Sequence, residues 1–184
     1  MSSKMAIVVD NGISGASHAV GLRKVMLKDD DFSDANFVTL SNSSLMVTLI
    51  SLVTLVVKYR FLPSLISAKY LNAAKSVANS RVDILYIDTL HLAFLCRRIG
   101  FNRCIVNFHN YDPDYLLELA RLEKSLLRSW AYRYESFISK RILRKLERIE
   151  RLEMWAITSR DFDSVKDLLA DTKNLKIVPH QLPA

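Results

Sequence analysis

The chain has 184 residues, half of them hydrophobic, with 26 Lys and Arg against 19 Asp and Glu and a net charge of +7. That apolar content excludes a disordered polyelectrolyte and suffices for a single compact domain with a real core. The two cysteines, Cys96 and Cys104, lie in apolar segments without C-x-x-C spacing, which argues against a disulfide framework or a zinc site and points to a reduced, cytoplasmic setting.

The first element is a buried strand from Met5 to Val9, an apolar run too short for a signal peptide and interrupted by Asp10. Three of the four glycines, Gly12, Gly15 and Gly21, fall in or just after the following turn, where backbone N–H groups can approach a ligand closely. The turn Asn11-Gly12-Ile13-Ser14-Gly15 is therefore a candidate phosphate or sugar contact, although it matches neither G-x-G-x-x-G nor a P-loop. A helix is predicted over 18–27 and a second strand from Phe37 to Leu40.

The helix expected from Ser44 to Tyr59 is almost wholly apolar over Leu45 to Val57. At about 1.5 Å per residue that run reaches roughly 20 Å, short of the ~30 Å hydrocarbon core. Ser44, Thr48, Ser51 and Lys58 recur at helical spacing and are expected to form a narrow outward stripe on a buried helix. The alternative is partial membrane contact, with Lys58, Tyr59, Arg60 and Phe61 as its interfacial edge.

Further on, the pattern predicts a helix over 64–78, a strand from Ile84 to Ile87, a helix over 90–98 closed by Gly100, and a strand from Cys104 to Phe108. That strand breaks into His109-Asn110 just before Asp112-Pro113, an N-cap followed by proline at the first helical position. Ligands of open α/β sheets gather beyond the carboxyl ends of such strands, so His109 stands where chemistry is expected. A histidine there can orient a hydroxyl or share its proton, or can bond a neighbouring carbonyl; its residue type leaves both open.

Helices over 113–127 and 129–152 come next, then a strand from Met154 to Thr158, a helix over 162–169 preceded by the polar cap Ser159-Arg160-Asp161, and a strand from Leu175 to Val178. On the long helix, Arg141, Arg144, Arg148 and Arg151 make a basic stripe, either a solvated face or a contact for an anionic surface. Residues 178–184 read as a strand running out into a linker. Strands alternating with helices predict an α/β domain, Rossmann-like, with three layers around a mostly parallel sheet. His18, His91, His109 and His180 are too scattered for metal ligands, so no metal is expected. The basic residues lack the interleaved aromatics of a nucleic-acid module, so no nucleic-acid partner is expected.

Several stretches together resemble a known family: Asn107-Phe108-His109-Asn110-Tyr111-Asp112 with Tyr115, Leu122-Glu123-Lys124, Trp130-Ala131-Tyr132-Arg133-Tyr134-Glu135-Ser136, and Ile157-Thr158-Ser159-Arg160-Asp161. In order and spacing they are similar to the amino-terminal domain of bacterial glycosyltransferase family 4 enzymes, whose GT-B architecture faces two Rossmann-like domains across a cleft. The resemblance implies a retaining transferase that moves a sugar from a nucleotide-sugar donor to a cell-surface glycan or lipid-linked acceptor. It implies that residues 1–184 form the acceptor-side domain, without a cofactor of its own. The nucleotide-sugar-binding domain is then expected beyond Ala184 or in a partner subunit, and this chain alone is expected to be inactive.

His109 matches the family's cleft histidine and Gly12 and Gly15 its glycine-bearing loop, with Ser14 between them a further candidate substrate contact. Asn110 and Asp112 fall in the substrate-binding stretch, with Asp112 standing where many relatives have Glu. A peripheral position on the inner membrane face is implied, with Lys58, Tyr59, Arg60, Phe61, Arg141, Arg144 and Arg148 toward anionic lipid. The alternative is a non-catalytic Rossmann-like scaffold that pairs with a separate catalytic subunit.

Overall fold

The computed structural model describes residues 5–10, 36–40, 45–58, 60–74, 81–87, 89–97, 99–108 and 112–178. Six parallel strands form one sheet: β1 (Met5–Asp10), β2 (Asn36–Leu40), β3 (Arg81–Ile87), β4 (Gly100–Phe108), β5 (Leu152–Ala156) and β6 (Leu175–Ile177), in the order β2-β1-β3-β4-β5-β6. All six expected strands form, although β5 begins at Leu152 and ends at Ala156, two residues earlier at each end than expected, and contains no β-branched residue. The chain steps from β1 to β2 on one side, then to β3 on the other, so a topological switch point lies between β1 and β3.

Between the strands lie α1 (Leu45–Val57), α2 (Leu65–Ala74), a 3₁₀ helix (Leu90–Arg97), α3 (Asp112–Leu122), α4 (Leu126–Leu146) and α5 (Ser159–Lys166). Every step after β2 runs in one direction across the sheet, and right-handed crossovers therefore place these helices on one face. Leu85, Cys104 and Leu152 lie in register across β3, β4 and β5, as do Ile87, Val106 and Met154. All six are buried in one core with Leu55, Leu71, Phe94, Ile142 and Leu143 from the helical layer. Tyr86, Ile105 and Asn107 point to the opposite face and are buried as well.

Several boundaries differ from expectation for local reasons. Gly100 does not close the preceding helix but opens β4, paired with Arg81. The break between α3 and α4 falls at residues 123–125, where Ser125 is extended and its N–H donates to the Glu123 carboxylate at 3.0 Å. Thr158 leaves the strand and caps α5, its hydroxyl accepting from the Asp161 N–H at 3.1 Å and donating to Asp161 Oδ2 at 2.6 Å. The cap is thus one residue earlier than Ser159, because a Thr in extended backbone satisfies two groups of Asp161 at once. The helix expected over 18–27 lies outside the described residues.

The orientation of α1 inverts the sequence expectation. Thr48 and Ser51 are buried at 5% and 2% exposure, while Met46, Leu49, Ile50, Val53, Val56 and Val57 face outward. The small residues turn inward on a helix that neighbours α2, and the larger apolar ones form the outer face.

Polar bonds brace the helical layer. The α4 carboxylate of Glu135 accepts from Ser64 Oγ at 2.8 Å and from the Leu65 N–H at 2.6 Å, holding the start of α2. The adjacent Tyr134 hydroxyl donates to the Pro63 carbonyl at 2.7 Å. Antiparallel α3 and α4 are tied at both ends, by Ser136 Oγ to the Pro113 carbonyl at 2.8 Å and Ser129 Oγ to the Ala120 carbonyl at 2.6 Å.

Candidate functional site

Because all strands run the same way, their carboxyl ends share one edge. Val8, Ile87 and Val106 are in register, which sets Asp10 and Phe108 level, with β3 between them. At about 4.8 Å per strand the chain leaves β1 and β4 roughly 10 Å apart on that edge. The segment after β1 carries Gly12, Ser14 and Gly15, and the segment after β4 carries His109 and Asn110; all five residues lie outside the described residues. Asp112 opens α3 directly beyond them.

The described residues build a polar cleft at this edge. Asp114, Tyr115 and Glu118 come from the first turns of α3, and Thr158, Arg160, Asp161 and Ser164 from the start of α5, around about 230 Å³ of open space. Asp114 and Glu118 meet because they are four residues apart on one helix face. Phe108 and Ala156 pair as the last residues of β4 and β5, so the helices following those strands face each other across the edge.

The electrostatics select the ligand chemistry. Three carboxylates against one guanidinium make the cleft acidic, which disfavours phosphate and favours hydroxyl donors. Ionised carboxylates accept bonds from hydroxyls, the Arg160 guanidinium and Ser164 hydroxyl donate, and the half-exposed Tyr115 ring offers a flat apolar face. Asp161 is the structural member, buried and holding Thr158 at the helix cap. No group of three His, Cys, Asp or Glu side chains among the described residues has the arrangement of a metal site.

The sequence places the site at this edge but points to Asp112 rather than Asp114 and Glu118, and marks Arg160 and Asp161 as part of a cap and of a family-like stretch, without a role in the site. The i, i+4 spacing of the two α3 carboxylates was the available signal. The convergence of α3 with α5 depends on the pairing of β4 with β5, which no local pattern encodes.

The residues expected at an anionic surface separate. Lys58, Arg60, Arg141, Arg144 and Arg148 are exposed, and Tyr59 lies outside the described residues. Phe61 is a correction: it is buried and meets Phe94 edge-on at 6.0 Å. Arg60 takes a left-handed conformation (φ 49°), turning the chain back so that the Phe61 N–H bonds the Leu55 carbonyl at 3.0 Å and its ring enters the core. No helix among the described residues is long and apolar enough to cross a membrane.

Comparison with protein-family models, with curated proteins and with solved structures finds no match for this chain.

Proposed function

We propose that this domain is the acceptor-binding half of a retaining glycosyltransferase that uses a nucleotide-sugar donor and a glycan or lipid-linked acceptor. The observation that carries the reading is the acidic, hydroxyl-accepting cleft of Asp114, Tyr115, Glu118, Arg160 and Ser164 at the carboxyl edge of a parallel sheet. Its lining suits a polyol, and it adjoins the point where the chain leaves β4 toward His109 and Asn110, the residues that the resemblance to glycosyltransferase family 4 puts in the cleft. In this reading His109 contacts the reacting sugar, Asp112 and the Gly12–Gly15 turn complete the pocket, and donor binding and transfer need a second domain or a partner subunit. The domain works at the cytoplasmic face of a membrane, with Lys58, Arg60, Arg141, Arg144 and Arg148 toward anionic lipid.

Saturation-transfer NMR with a panel of mono- and disaccharides tests the cleft. At least one saccharide is expected to bind, and Asp114→Asn with Glu118→Gln to weaken it by about tenfold, the loss of one to two charge-assisted hydrogen bonds. Absence of any saccharide signal, or binding indifferent to both substitutions, overturns the assignment.

The outward apolar face of α1 favours a second reading, a non-catalytic module that pairs with another subunit through that face. A stable homodimer in sedimentation that is lost in Ile50→Lys supports it; a monomer at all concentrations removes it.

A further inference from the structure

The turn between α3 and α4 carries a second exposed apolar surface of different shape. Leu122, Leu126, Leu127 and Trp130 are 80%, 89%, 77% and 63% exposed, four large apolar side chains within nine residues. Scattered single exposures are ordinary, but a cluster this bare marks an interaction site. The surface is the convex end of a helical hairpin rather than a groove, and it is held rigid from below. Ser129 ties the two helices beside the turn, and Trp130 stacks on Tyr134 at 5.7 Å with the rings 12° from parallel. Tyr134 is in turn bonded to Pro63.

Charge decides the partner. Arg121, Lys124, Arg128 and Arg133 surround the four apolar residues and are exposed, against Glu118 and Glu123. Of those two carboxylates, Glu118 belongs to the cleft and Glu123 accepts the Ser125 N–H. Leu126, Trp130, Arg133, Phe137, Arg141 and Arg144 recur at intervals of three and four, which sets them in one narrow stripe along α4. Arg141 lies over the Phe137 ring at 4.6 Å. Tryptophan and leucine at a protruding tip, with arginine and lysine directly behind them, is the composition that seats a helix in a lipid headgroup layer.

We propose that the α3–α4 turn inserts Leu122, Leu126, Leu127 and Trp130 into the interfacial layer of an anionic bilayer, with the surrounding basic side chains on lipid phosphates. This deepens the membrane part of the reading above and is independent of saccharide binding. Leu122 lies about 6 Å beyond Glu118 along α3, so insertion brings the acidic cleft to the headgroup level, within reach of a sugar carried on a lipid.

The test is sedimentation of the full chain with vesicles of phosphatidylcholine alone or mixed with phosphatidylglycerol, with tryptophan emission as a second readout. Binding to the mixed vesicles, a blue shift absent in Trp130→Phe, and weakening by about 0.5 M salt are expected. The double variant Leu126→Ser, Leu127→Ser is expected to lose binding by about tenfold or more while keeping its circular dichroism and melting curve, since both side chains are exposed. Vesicle binding unchanged in that variant, or equal on uncharged lipid, overturns the proposal. So does a homodimer dispersed by the same substitutions, which would give the tip to a second copy of the chain. Glu118→Gln, which tests the cleft, is expected to leave vesicle binding intact, so the two readings fail separately.

Discussion

Glu135 of α4 holds Ser64 at the start of α2, its two carboxylate oxygens taking the Ser64 hydroxyl and the Leu65 N–H across 71 and 70 residues of sequence. Glu135 is 2% exposed, so truncation to Ala strands one buried and one part-buried donor and is expected to cost about 3 kcal/mol. Ser64→Ala should cost about 1 kcal/mol, since the hydroxyl also accepts the Ser67 N–H at 3.0 Å. Urea unfolding of both single variants and the double variant checks this. A double-variant loss equal to the sum of the singles would show that the two side chains act separately.

His91 ties acid stability to the core. Burial drives its imidazole from 6.5 down to about 4, so the folded state holds it neutral while the unfolded chain takes up a proton. Its contribution is fully present above pH 6.5 and is lost as the pH falls toward 4, amounting to about 3 kcal/mol for a shift of this size. Urea midpoints between pH 7 and 4 should fall steeply in the native chain and less steeply in His91→Leu. Parallel slopes would exclude His91 as the source.

Glu153 acts in a lower window. Burial pushes its carboxyl up, but bonds from Arg103, Lys176 and Trp155 outweigh this and hold it at about 2, below its ordinary 4.5. Its stabilisation is present above pH 4.5 and disappears as the pH drops toward 2. The partners are solvent-exposed, with Arg103 at 2.7 Å and Lys176 at 2.9 Å. Screening therefore limits Glu153→Gln to about 1 kcal/mol at pH 7, and this should shrink further in high salt. Thermal melts with and without salt measure it; a loss that salt leaves unchanged contradicts the account.

Cys96 and Cys104 should be chemically silent in the folded protein. Their sulfurs lie 3.4 Å apart in the core, and the bond from Cys96, followed by burial, pushes the Cys104 thiol far up. Without thiolate Cys104 does not react readily, and burial keeps reagents from Cys96. Thiol titration is expected to read two groups in denaturant and none quickly without it, and rapid native labelling of Cys104 would contradict this.

The two faces of α1 should respond oppositely. Leu55 is fully buried, and Leu55→Ala is expected to cost about 2–5 kcal/mol. Val53 is 64% exposed, and Val53→Ser should change stability by less than about 0.5 kcal/mol. Comparable losses would mean that the helix turns its other side inward.

The strands were legible in the sequence because each is a short apolar run bounded by polar punctuation, and Cys104 to Phe108 illustrates this well. The facing of α1 was not, because hydrophobicity all round gives a helix no preferred side; the fold turns Thr48 and Ser51 inward. The same limit hid the cleft. Asp114 and Arg160 are ordinary surface residues until β4 pairs with β5, and that pairing is a property of the whole sheet. The tip at Leu126 and Leu127 escaped notice because the predicted helix ran through to Leu127, burying in a periodic pattern what is the bend of a hairpin.

The place of β1 between β2 and β3 also sets an order for vectorial folding at the ribosome. β1 and β2 can associate once residue 40 has emerged, but the other edge of β1 stays without its partner until Arg81–Ile87 is synthesised. For that interval the nascent chain presents an unpaired, hydrogen-bonding border, the kind of surface on which neighbouring polypeptides aggregate. Protein quality control is thus most needed between the synthesis of β2 and that of β3, before β1 is enclosed on both sides.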